Sequence, residues 1–152
     1  GKVVYLLDLS GVYCEPVEPR LIRLLAEASG ESSSFVSQAF YDLLPRLKEE
    51  GPGVLEALFP GAAKLYPKAF VPRPLAFPTP FYLVSDLPPP EGLSAFFHPN
   101  KLEAVASAVA TLGEEALYLD DNPLWVARAR ERGFRAELVR AAPATGAWGS
   151  GA

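Results

Sequence analysis

Apolar positions along the chain fall into two patterns, short unbroken runs and stripes at helical spacing. The runs occupy residues 2–9, 81–85 (FYLVS) and 116–120 (ALYLD), and FRAELV, 134–139, makes a fourth segment of strand length. Runs of this kind predict strands covered on both faces. The stripes lie between them. Leu21, Leu24, Leu25 and Ala28 repeat at helical spacing behind Pro19, a good first-turn residue, and Gly30 is a natural stop. Ser32, Ser33 or Ser34 can cap a second helix whose apolar face is Phe35, Val36, Ala39, Phe40, Leu43, Leu44 and Leu47. Pro45 is expected to kink that helix or end it early. A shorter helix is expected from Pro52 to Phe59. Asn100 with Glu103 predicts a capped helix carrying Leu102, Val105, Val109 and Leu112 on one face, ending before Gly113. Asn122-Pro123 opens a last helix that stops at Gly133.

Proline and glycine punctuate the remainder. Residues 67–80 (PKAFVPRPLAFPTP) read as an extended connector, not a central strand. LPPPEG, 87–92, reads as a loop, and residues 141–152 (AAPATGAWGSGA) as a loose tail. Strands alternating with helices predict an α/β fold with a mainly parallel sheet. At 152 residues the chain suits one domain, or one domain with a small insertion.

In such sheets ligands bind beyond the carboxyl ends of the strands. Here the runs end in Asp8, Ser85 and Asp120-Asp121. An acid at a strand end is commonly a turn or cap residue. Asn122 already caps the last helix, however, and two acids in front of it exceed that need. Strands lying side by side would bring these groups to one edge. Gathered carboxylates repel and raise one another's pKa, and a divalent cation offsets that. All-oxygen ligation favours Mg²⁺, which keeps several waters and suits phosphate substrates. One carboxylate of the set could keep an oxygen free to attack phosphorus or carbon. Ser85 could donate to a phosphoryl oxygen, and Lys101 could neutralise charge on the nucleophile and the transferring group.

Composition narrows the choice. The net charge of −4, with both signs interspersed, excludes a basic nucleic-acid footprint. No run is long enough to span a bilayer, and the first strand lacks a signal peptide's basic start and cleavage site. A single cysteine, Cys14, excludes an internal disulfide and reads as a passive thiol. A cytoplasmic protein with no nucleic-acid or membrane partner is therefore expected. GPG at 51–53 follows a helix, so it is no dinucleotide fingerprint.

The order strand-DLSGV, strand-Ser85, a helix-leading Lys101 and strand-DDNP resembles the haloacid dehalogenase (HAD) superfamily over residues 3–139. Response-regulator receiver domains gather similar groups, but their acidic pair comes early and here it comes last. The resemblance implies a doubly wound three-layer sandwich, a HAD-like Rossmannoid core formed by 1–14 and 67–140. It implies a small helical cap inserted at 15–66, with 52–58 leading back into the core. It implies a phosphohydrolase in which Asp8 is the nucleophile and forms an aspartyl-phosphate. Asp8, the Ser10 carbonyl, Asp120 and Asp121 would hold Mg²⁺, and Ser85 with a basic residue would hold a small phosphorylated substrate.

The chain departs from that pattern in three places. Ser10 stands where phosphatases of the family carry a second Asp, which protonates the leaving group and later activates water. A D-x-S-G-V start does occur among relatives described as phosphatases. Dehalogenases also lack that Asp, because a halide leaves without a proton. The family's basic residue is usually Lys followed by Pro. His98-Pro99 matches the dipeptide and Lys101 the chemistry, with Lys101 favoured because its charge persists near pH 7. The segment from Ser85 to Lys101 is short for the family, and Asp86 stands where Asn is common, adding negative charge beside the phosphate. The expectation is a Mg²⁺-dependent phosphatase. The alternatives are a 2-haloacid dehalogenase and a weakly active or inactive relative that binds a ligand or partner.

Overall fold

The four predicted strands form, and they lie side by side. The structure is a computed structural model describing residues 3–113, 115–141 and 148–150. Its sheet contains β1 (Tyr5–Asp8), β2 (Phe81–Ser85), β3 (Phe96–Phe97), β4 (Leu117–Asp120) and β5 (Arg135–Ala141), all parallel. Their order is β3-β2-β1-β4-β5. The chain winds outward from β1 to β3, returns to the far side of β1, and winds outward again. The direction reverses between β1 and β4, and in open α/β sheets such a switch point is where ligands bind.

Five helices cover the two faces among the described residues: α1 (Val17–Ser29), α2 (Ser33–Glu50), α3 (Ala62–Leu65), α4 (Lys101–Leu112) and α5 (Pro123–Glu131). Pleat alternation decides which side chain goes to which face. Leu6, Val84, Tyr118 and Ala136 pack with Leu102, Val105 and Ala108 of α4 and Val126 and Ala129 of α5. Leu7, Leu83, Leu119 and Val139 pack on the opposite face with Leu21 and Leu25 of α1 and Val36, Phe40 and Leu47 of α2. Segment 15–66, read from the sequence as a small cap, thus shares one apolar cluster with the sheet.

Capping follows the sequence closely. The Ser32 side chain accepts from the Phe35 amide, Asn100 from Leu102 and Asn122 from Leu124. Gly30 ends α1 in the left-handed region, its amide donating to the Ala26 carbonyl.

Three expectations are corrected. Helix α2 does not end at Pro45 but runs to Glu50. An interior proline costs about 3 kcal/mol, and burial of the following Leu47 returns about 1.5–3 kcal/mol. The predicted helix 52–59 is only a 3-10 turn, Pro52–Leu55, with α3 and a second 3-10 turn, Tyr66–Ala69, following it. The tail expected at 141–152 is partly strand. Ala141 closes β5, and β6 (Trp148–Ser150) pairs antiparallel with it, covering the exposed edge of β5. Residues 142–147 and 151–152 of that tail lie outside the described residues. No helix among the described residues is long and apolar enough to cross a membrane.

Because α2 is built into the core of the sheet, Leu47→Ala should lower the unfolding free energy by about 2–5 kcal/mol. Urea unfolding should keep one transition in both proteins. A separate early transition for the insertion would contradict the shared core.

Candidate active site

Strands β1 and β4 are neighbours in register, Leu7 opposite Leu119, so their last residues, Asp8 and Asp120, flank the switch point. Both carboxylates are almost completely buried. Helix α4 starts beside them. Asn100 caps it, and the next residue, Lys101, extends its ammonium to 3.0 Å from Asp8 Oδ2 and 3.7 Å from Asp120 Oδ2. Lys101 is itself only 8% exposed. Its Nζ also lies 5.4 Å from the ring centre of Trp125, a cation–π distance. His98 does not join the cluster. It is exposed, and its Nδ1 accepts from the Asn100 amide at 2.9 Å.

Asp120 is the fixed member of the acidic set. Tyr118 O–H donates to its Oδ2, and the Asn122 amide donates to its Oδ1 at 2.9 Å. Asp121 follows on the solvent side, against Gly11. A Cβ on Gly11 would lie 2.9 Å from Asp121 Oδ2, and Gly11 has φ of +95°. The left-handed φ is what calls for glycine there, since the Asp121 carboxylate ends a side chain that can shift. One carboxylate oxygen from each of Asp8, Asp120 and Asp121 falls within 4.8 Å of the others. This all-oxygen set suits a hard divalent cation.

The electrostatics agree. Burial pushes the Asp8 carboxyl well above the usual range, Lys101 opposes that shift, and Asp120 adds to it. Burial would lower Lys101, but the Asp8 and Asp120 charges outweigh it and raise it. Asp121 is exposed as a residue, yet its carboxylate lies against Gly11. Burial of that group first, and the Asp120 charge second, raise it to about 6.

A cavity of about 410 Å³ opens over the cluster. Five carboxylates line it, those of Asp8, Glu18, Asp86, Asp120 and Asp121, against the ammonium groups of Lys48 and Lys101. Ser10 lines it too, but its hydroxyl is committed, donating to Glu18 Oε1 at 2.6 Å and accepting from the Val17 amide. Ser85 is buried and does not line the cavity. Its hydroxyl donates to the Leu87 carbonyl at 2.7 Å and accepts from the Leu87 amide. Register explains this. Asp8 stands opposite Val84, so Ser85 is one residue further on and faces the other side of the sheet. Asp86 is present at the cavity wall, paired with Lys48 Nζ at 2.9 Å.

Sequence reasoning missed Glu18, Lys48, Tyr41 and Trp125 on the walls. Tyr41 falls outside the apolar stripe of α2, which was the available signal. Lys48 and Glu18 are single charges on helices and carry no local signature. No protein-family model matches the chain, and a search of curated proteins finds no match.

Gly11→Ala should push Asp121 out of place and cost about 1–2 kcal/mol in left-handed strain, read by urea unfolding. A variant of wild-type stability would refute the strain at this position. With divalent cations removed, folded Asp121 keeps its proton up to about pH 6, whereas its ordinary value is 3.8. The folded form therefore binds more protons in that window, and this group's contribution to stability declines as pH rises from about 4 to about 6. Asp121→Asn should flatten that decline in urea midpoints measured with EDTA. An unchanged slope would refute the shift.

Proposed function

We propose that this protein is a divalent-cation-dependent phosphohydrolase of the haloacid dehalogenase type, with Mg²⁺ as the cation and a small phosphomonoester as substrate. The observation that carries the reading is one arrangement. Lys101 Nζ lies 3.0 Å from Asp8 Oδ2, beside three carboxylate oxygens within 4.8 Å of one another, at the switch point of the sheet. Asp8, the Ser10 carbonyl and Asp121 would hold the cation, with Asp120 supporting. When bound, the cation supplies charge neutralisation for the transferring group.

Asp8 attacks phosphorus through one carboxylate oxygen, the ester P–O bond breaks, and an aspartyl-phosphate forms. Lys101 stays protonated and stabilises negative charge on the phosphoryl oxygens. Water then attacks phosphorus, releasing phosphate and the Asp8 carboxylate. Ser10 is no acid, so it cannot protonate the leaving group. Substrates with good leaving groups are favoured accordingly.

A second reading has its own support. The Ser85 hydroxyl is held by Leu87, and position 10 carries no acid, both of which suit a relative that binds a phosphorylated ligand and turns it over slowly. A 2-haloacid dehalogenase gains nothing comparable, since it would leave the three-carboxylate set without a use.

With p-nitrophenyl phosphate and Mg²⁺, turnover should vanish in Asp8→Ala and on adding EDTA. Lys101→Ala should lower kcat by about 10²–10³-fold. Activity surviving in Asp8→Ala would end the reading. Saturable Mg²⁺-dependent binding of beryllofluoride without turnover would select the second one.

A further inference from the structure

The cavity holds one cation that the chemistry above does not use. Lys48 lies near the end of α2, next to Leu47, which is buried in the core of the sheet. That burial anchors the backbone of Lys48 beside the cavity wall. Its Nζ donates to Asp86 Oδ2 at 2.9 Å, across the gap between the insertion and the end of β2. An ammonium carries three donors, so donors remain beyond the Asp86 bond, and the side chain is 24% exposed.

The charges around the opening are divided. Asp121 and Glu18 line the main cavity, whose cations are Lys101 and Lys48 alone. A neighbouring hollow of about 420 Å³ carries Lys48, Lys101 and Arg128 against Asp86 as its one acid. Arg128 is held there over the Trp125 ring, 5.2 Å from its centre. An anion reaching out from Asp8 and Lys101 is thus repelled on the Glu18 side and attracted on the Lys48 side. Lys48 also neutralises Asp86, which would otherwise repel a phosphorylated ligand.

We propose that Lys48 selects substrates carrying a second anionic group, a carboxylate or a phosphate, beside the transferred phosphoryl group. Asp86 is the positioning residue that holds the ammonium at the wall. The second anion adds a charge-assisted hydrogen bond to Lys48 without stranding Asp86, because the ammonium can serve both. The inference rests on the phosphohydrolase reading and narrows its substrates to small dianionic-headed molecules with a further acidic group.

The test uses calorimetric titration, with Mg²⁺ present, of propylphosphonate and 3-phosphonopropionate. The two share a phosphonate that resists hydrolysis, and the second adds a terminal carboxylate. The carboxylate ligand should bind about tenfold tighter. Lys48→Gln should erase that difference while weakening both ligands alike through the unmasked Asp86 charge, and Lys48→Arg should restore most of it. Equal affinities in the wild-type protein overturn the inference and need no variant. A difference that persists in a folded Lys48→Gln also overturns it. Propylphosphonate binding without a gain from the carboxylate leaves the phosphohydrolase reading standing. Absence of binding by both ligands ends the two together.

Discussion

Like charges crowded at the ends of β1 and β4 are the constraint around which this molecule is arranged. Asp8 and Asp120 are both removed from water, where unpaired carboxylates are costly. The Lys101 ammonium answers that cost directly, and it can do so only because α4 begins at that point. Asn100 caps the helix so that the following residue enters the sheet edge. Tyr118 and the Asn122 amide take up the oxygens of Asp120. Losing one member of such a buried set leaves its partner uncompensated, which is worse than having no pair at all. The residues of the cluster therefore stabilise the sheet edge only as a set.

Pleat alternation links this cluster to the core. The parity that sends Leu6 and Tyr118 to α4 and α5 also sends Asp8 and Asp120 toward the start of α4. The opposite parity sends Leu7, Leu83 and Leu119 to the insertion, and Ser85 with them. One register thus decides both which helices cover each face and which polar groups meet at the edge.

This explains what could be read in advance. Unbroken apolar runs marked β1, β2 and β4, the strand-length segment FRAELV marked β5, and the side-chain caps at Ser32, Asn100 and Asn122 marked the starts of α2, α4 and α5. These signals are local, so sequence alone carries them. The union of Asp8, Lys101, Asp120 and Asp121 followed from strand ends and one helix start. The two-residue strand β3 and the pairing of β6 depend on neighbours distant in the chain, and no periodicity announces them. The same holds for Ser85, whose facing depends on register, and for the pair Lys48–Asp86, whose members are 38 positions apart. Pro45 marks no helix end for a related reason, since burial of Leu47 by distant residues offsets much of a local preference.

The continuity of the insertion with the core of the sheet has a kinetic meaning. A lid on a hinge can swing because little apolar surface is exposed when it opens. Lifting α1 and α2 from this sheet would uncover Leu21, Leu25, Val36, Phe40 and Leu47 at once, an event closer to unfolding than to gating. The cavity over the acidic cluster is therefore a standing opening in the fold. A substrate of the proposed kind would pass it without any lid movement and would share the chamber with bulk solvent.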